Sequence, residues 1–267
     1  MNMGWSLQET WIYRINPSFK LFVLMGLFIF ILFVHVLNWL TYLTIISFIL
    51  LWFFSGISKK MLFVLVLPFF IVFISTASSM ILFGKGETIW FQWGLIQISE
   101  ESFYRGIHLG FRAFIFATLG LLFALTTRPV MLFYSLMQQV HLKPKYAYSF
   151  MAGYRLIPIM VEEFFTIRNA MKVRGIAQNK GLTSFYHKLK TYSIPLLAGS
   201  IRRAHRIAIA MEAKRFTGNK HRTYFYEIRF SKYDGFFIAL IMVIIFVSFY
   251  VSTILPIFPV GDVRYGK

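Results

Sequence analysis

Two stretches of this 267-residue chain end in one pattern. Ala170-Met171-Lys172-Val173-Arg174 closes the first and Ala210-Met211-Glu212-Ala213-Lys214 the second. Each follows a Tyr…Ile-Pro element, Tyr154-Arg155-Leu156-Ile157-Pro158 in one and Tyr192-Ser193-Ile194-Pro195 in the other, and then a stretch of helical periodicity. The closing cations, Arg174 and Lys214, are 40 residues apart, with Gly175 after the first and Arg215 after the second. A cation at a helix C-terminus complements the helix dipole. Two of them on matching helix ends would equally suit docking on two similar partner subunits, whose carboxylates or carbonyls they would meet.

Little else on the chain could do chemistry. There is no G-x-x-x-x-G-K-[ST] loop for ATP phosphates, no H-E-x-x-H, no G-x-S-x-G and no D-x-x-D pair. Cys is 0, which excludes thiolate metal sites and a Cys nucleophile. His35, His108, His141, His187, His205 and His221 are too far apart for close ligand spacing, and each reads as a structural histidine. The sequence therefore calls for no cofactor and no metal.

The elements that must position the two cations are set by composition. The chain is 58% hydrophobic and only 14% charged, against roughly 45–50% and 25% in soluble domains. Lipid is the solvent this composition fits. The formal charge of +18 is concentrated, because residues 128–234 hold 19 Lys and Arg against 5 Asp and Glu. Such a block among apolar segments obeys the positive-inside bias and would be drawn to anionic lipid headgroups. Without a recognisable nucleic-acid-binding motif, no nucleic acid partner is expected.

A spanning helix needs about 20 apolar residues. The stretch from Leu21 to Phe54 fits two short spans turning at His35-Val36-Leu37-Asn38, followed by the Lys59-Lys60 loop. Met61 to Phe83, Ile107 to Leu125 and Phe236 to Ile254 supply three more. The small residues Ser75 to Ser79 suit close helix approach, and residues 84–105 read as a nearly neutral polar loop. The segment before Leu21 does not read as a cleaved signal peptide. These five spans put the N-terminus, the Lys59-Lys60 loop and the basic block in the cytoplasm, and the C-terminus outside. The domain expectation is 1–127 as a four-span region, 128–234 as a basic cytoplasmic coupling domain, and 235–267 as a last span with an external tail. The fold class is an all-α polytopic membrane protein with about five transmembrane helices and long cytoplasmic coupling helices.

Within the basic block, Phe133–Val140, Tyr146–Val173 and Ile194–Phe216 show helical spacing. In the last, Ile194, Leu197, Ile201, Ala204, Ala208 and Met211 form one apolar stripe, suited to a membrane surface or another helix. Gly175, Gly181 and Gly218 stand where helix stop signals do. Arg112 is the one clear charge within a span, and no span carries Asp or Glu, which weighs against an ion-coupled carrier. Arg112 reads either as a buried functional site or as a residue facing the bundle or a watery crevice.

The chain resembles the transmembrane T component of energy-coupling factor transporters, the family that includes the cobalt-transporter Q subunit. The resemblance runs through Ile15-Asn16-Pro17-Ser18-Phe19-Lys20-Leu21, similar to an L-[DN]-P-x-x-K-L opening, and Thr126-Thr127-Arg128-Pro129. It is strongest over Tyr154 to Gly175, with Arg155, Pro158 and Glu162, and over Pro195 to Ala213, with Glu212. It implies two X-R-G tripeptides that dock on ATPases at the ends of two coupling helices. Val173-Arg174-Gly175 matches the first, while Ala213-Lys214-Arg215 stands at the second, leaving Lys214 or Arg215 as its docking cation. It further implies a non-catalytic scaffold joining two ABC-type ATPase subunits to a small membrane substrate-binding S component. The cargo would be a vitamin or a transition-metal ion, and the setting a prokaryotic plasma membrane. The rivals are an autonomous channel or secondary carrier and, behind it, a membrane-bound enzyme.

Overall fold

The computed structural model describes residues 10–86, 88–93, 96–175, 182–216, 223–258 and 261–263. Among them it forms eight helices: α1 (Pro17–Phe33), α2 (Leu37–Phe54), α3 (Lys59–Phe83), α4 (Glu100–Thr126), α5 (Pro129–Gln139), α6 (Pro144–Val173), α7 (Leu182–Ala213) and α8 (Lys232–Ile254). The chain is an all-α polytopic membrane protein. Helices α2, α3, α4 and α8 are long and apolar enough to cross a membrane, and α1 is a shorter apolar helix of 17 residues. At 1.5 Å per residue α1 is about 25 Å long, near the lower bound for a span. The contacts divide the chain into two units, residues 1–132 with 228–267, and residues 133–227.

Local chemistry sets the helix starts of the first unit. Asn16-Pro17 opens α1, with Pro at the first position, where its missing N–H costs nothing. The region 84–105, expected as a loop, instead holds an antiparallel hairpin of β1 (Ile89–Trp93) and β2 (Ile96–Ser99), and α4 already begins at Glu100. Ser99 and Ser102 cap each other's backbone N–H, and Glu100 and Glu101 complement the positive helix start. Polar residues there are cap and first turn, which hydropathy alone reads as loop.

The core of this unit is aliphatic at its centre apart from Phe237, which is buried with Leu24, Ile31, Leu40, Leu43, Leu51, Ile115, Leu119, Leu122 and Ile241. Trp39 packs edge-on against Phe30 and Phe249, and its indole N–H donates to Ser248 Oγ at 3.0 Å. A polar N–H in an apolar bundle is thereby satisfied. Helices α3 and α4 approach through small residues. A Cβ on Gly106 would lie 2.8 Å from the Ala77 carbonyl oxygen, and one on Gly110 2.9 Å from the Phe73 ring. Ala77 lies in the small-residue patch expected to allow such an approach. Thr76 and Ser78 bond carbonyls of their own helix instead.

Arg112 has a structural task. Its Nη2 donates to the Val34 carbonyl at 2.8 Å, just past the end of α1, and the buried His108 ring meets the same oxygen at 3.2 Å. The charge sits at the negative end of a helix dipole. At that end of the bundle Asn38 donates to the Phe258 carbonyl and accepts from the N–H groups of Ile257 and Phe258. The segment after α8 is thereby tied to the start of α2.

Candidate helix-end docking sites

Helices α6 and α7 carry the candidate cations. Both contain an internal proline, Pro158 and Pro195, and both continue through it. Helix α7 begins at Leu182, twelve residues before the stretch expected from Ile194, so Pro195 does not mark its start. A proline inside a helix forfeits one backbone hydrogen bond, and the flanking turns on both sides hold here. Tyr192 packs edge-on against Phe164 of α6, and Glu163 pairs with Arg203 at 3.0 Å. Gly199 lies beneath that pair, where a Cβ would stand 3.0 Å from a Glu163 carboxylate oxygen. Tyr148, near the start of α6, meets Phe216 just beyond α7. As the contacts run back along α6 they run forward along α7, so the two helices are antiparallel.

That arrangement places the two cations at opposite ends of the pair. Residue 163 precedes Arg174 by eleven positions, and residue 203 precedes Lys214 by the same number. Each tip therefore lies about 16 Å of helix beyond the ion pair.

As far as the described residues run, the two ends match. Arg174 N–H donates to Ala170 O and Gly175 N–H to Lys172 O, both at 3.1 Å, and Gly175 has φ +72°. On α7, Lys214 N–H donates to Ala210 O at 3.1 Å, Arg215 N–H to Glu212 O at 2.8 Å, and Phe216 N–H to Met211 O at 2.9 Å. Arg215 has φ +52°. The last two bonds and the left-handed residue make a Schellman cap. Lys214 thus has the backbone position of Arg174, and Arg215 that of Gly175. Arg215 is therefore the turn residue, at a position that costs a non-glycine residue about 1–2 kcal/mol.

Val173, Arg174, Gly175, Ala213, Lys214 and Arg215 are all exposed, as are Arg155, Pro158, Glu162, Pro195 and Glu212. The Glu212 carbonyl takes part in the α7 cap, and the Glu162 carbonyl accepts from Thr166 Oγ1. The apolar stripe, expected to face a membrane surface or another helix, does not pack against α6: Ile194, Leu197, Ile201, Ala204 and Ala208 are exposed, and Met211 is half-buried. The packed face is centred instead on Leu196, Gly199, Ser200, Arg203 and Ile207, because the Glu163–Arg203 pair and the missing Gly199 side chain set the close approach. Gly181 and Gly218 lie outside the described residues. Among the described residues no three His, Cys, Asp or Glu gather as a metal site requires.

The second unit thus holds a helix pair with matching cationic ends, and the first an apolar bundle. The family model for cobalt transport proteins, CbiQ, matches residues 8–225. The chain belongs to the CbiQ family. A Listeria innocua protein named energy-coupling factor transporter transmembrane protein EcfT is 30% identical over 234 residues, covering 83% of this chain and 86% of the relative. Proteins of the same name from Lacticaseibacillus paracasei (27%; 85% and 88% covered) and Streptococcus thermophilus (27%; 92% and 96% covered) match similarly. This CbiQ-family chain is a membrane protein and a transport protein of the energy-coupling factor class, in the T-component role. Two buried polar residues, Lys20 and Asp234, tie helices of the first unit together, a role that no pattern in the sequence signals. In sequence Lys20 stands out only as part of the family-like opening, and Asp234 only as an acid of the 128–234 block.

Proposed function

We propose that this protein is the scaffold through which two cytoplasmic ABC-type ATPase subunits drive a small membrane S component that binds a vitamin or a transition-metal ion for uptake. The observation that carries this reading is the pair of cationic helix ends, alike in their first two capping bonds and in the left-handed residue that follows the cation. Two exposed cations stand at opposite ends of one antiparallel pair, equally far from its central ion pair. Two similar ATPases offer two similar acceptor grooves. When the ATPases close, a helix pair held at both tips moves as a lever, and the chain itself performs no chemistry. The docking cations are Arg174 and Lys214, with Arg215 shaping the second cap. Engagement of Arg112 with the end of α1 weakens the channel reading, in which Arg112 and the aromatic-rich spans would form the path.

Purified alone, the protein is expected to hydrolyse no ATP, and it co-purifies with its ATPases when they are co-expressed. Hydrolysis by the isolated chain, free of contaminating ATPase, counts directly against the scaffold.

The basic block, residues 128–234, is assigned to the cytoplasm of a prokaryotic cell with the N-terminus, and residues 1–127 and 235–267 to the membrane region and its external tail. A topology reporter fused after Gly218 should read as cytoplasmic, and one at Gly86 or at the C-terminus as external. A cytoplasmic C-terminus contradicts the five-span arrangement, which counts α1 as a span.

A further inference from the structure

Lys20 is buried to 1% exposure although it lies in the first turn of α1. Its Nζ donates to the Thr126 carbonyl at 3.0 Å, Thr126 Oγ1 at 3.2 Å and Thr127 Oγ1 at 3.3 Å. These acceptors mark the end of α4. The next residue, Arg128, lies over the Tyr13 ring and donates from Nε to the Tyr13 hydroxyl at 2.6 Å. Asp234 is equally buried, at 3%. One of its carboxylate oxygens accepts the Ser231 N–H at 2.7 Å, capping α8, and the other accepts the Asn16 N–H at 2.8 Å, at the start of α1. The start of α1 therefore holds the end of α4 through Lys20 and the start of α8 through Asp234.

Chain connectivity gives this cluster its consequence. Residues 133–227 are joined covalently to the membrane unit at only two places, after α4 and before α8. Those are the two places the cluster fastens. An ammonium and a carboxylate in an apolar bundle are expensive to desolvate, and well-packed apolar side chains there are often neutral or better for stability. What charged, multiply bonded groups provide is fixed geometry.

We propose that Lys20 and Asp234 are positioning residues for energy coupling. They bind the exit and the return of the chain into one stiff joint, so that motion of residues 133–227 reaches the bundle instead of being absorbed at two loose crossings. The proposal rests on the scaffold reading above.

The test uses the assembled complex with its ATPases in nanodiscs. Because the chain has no Cys, spin labels can be placed uniquely at Lys59→Cys and Lys232→Cys, at the starts of α3 and α8. The distance between them is compared without nucleotide and with ATP–vanadate, alongside ATP turnover. Wild type is expected to show a nucleotide-dependent shift. Lys20→Met with Asp234→Asn, which removes both charges together, should lose most of that shift while ATP turnover is retained. An unchanged shift in the double variant overturns the proposal, as does a wild-type complex that assembles and shows no shift. Failure of wild type to bind any ATPase refutes the scaffold reading instead. Should the double variant not assemble, Thr127→Val decides, since it removes one acceptor from Lys20 and no charge. A wild-type shift there also overturns the proposal.

Discussion

Arg174→Ala is expected to cripple association with the ATPases while leaving membrane insertion intact. Its guanidinium projects from an exposed helix end, and in the proposed complex it enters a groove where an acidic or carbonyl partner is desolvated with it. Truncating one side of a buried charge contact costs on the order of 2–5 kcal/mol, largely because the other side is stranded. Lys214→Ala should have a similar effect, since the backbone gives Lys214 the position of Arg174. Arg215→Gly should behave in the opposite way. It places glycine at φ +52°, where glycine is unstrained, and should leave assembly intact with stability unchanged or raised by up to about 1 kcal/mol. Lys214→Arg should preserve assembly, its planar fork replacing a point charge. Quantitative pull-down of the ATPases with each variant, at two salt concentrations, separates these outcomes. Exposed cations with no partner predict losses under 1 kcal/mol that vanish in salt. The docking hypothesis is falsified if Arg174→Ala and Lys214→Ala both assemble as wild type does.

The second large effect is expected inside the bundle. Gly106→Val puts branched carbons where even a Cβ would lie 2.6 Å from Ile81 Cγ1 and 2.8 Å from the Ala77 carbonyl oxygen. The Ile81 side chain can swing away, whereas the Ala77 carbonyl belongs to the α3 backbone and cannot. Overpacking of this kind costs roughly 1–3 kcal/mol or more, here by prying α3 from α4. Gly26 is the matched control: no atom lies within 4 Å of a Cβ built there. Gly26→Ala should be neutral or gain up to about 1 kcal/mol of helix propensity. Thermal unfolding of both variants in one detergent, followed by helical circular dichroism, reads the contrast. Equal melting temperatures for the two would mean that α3 and α4 do not rely on their close approach.

Hydropathy and charge by themselves determined much of this protein. An apolar run longer than about 17 residues in a charge-poor chain has few structures open to it besides a spanning helix, because lipid satisfies no backbone group. Hence α2, α3, α4 and α8 are legible, and so is the apolar α1 beside them. The 40-residue recurrence was legible too, because the helix-end signals Arg174-Gly175 and Lys214-Arg215 are local. What tertiary structure decided are matters of partner and φ. Nothing in the sequence signals that Lys20 is buried; only the arrival of Thr126 and Thr127, more than a hundred residues away, makes its burial tolerable. Asp234 reads as a loop acid until Ser231 and Asn16 bring it two backbone N–H groups. The face that α7 packs is likewise set by Glu163 and Gly199, against its most apolar stripe. Whether Lys214 or Arg215 ends the helix depends on a backbone angle, and no side-chain pattern encodes it. Residue types fix which environments are affordable, and long-range partners decide which one each polar group receives.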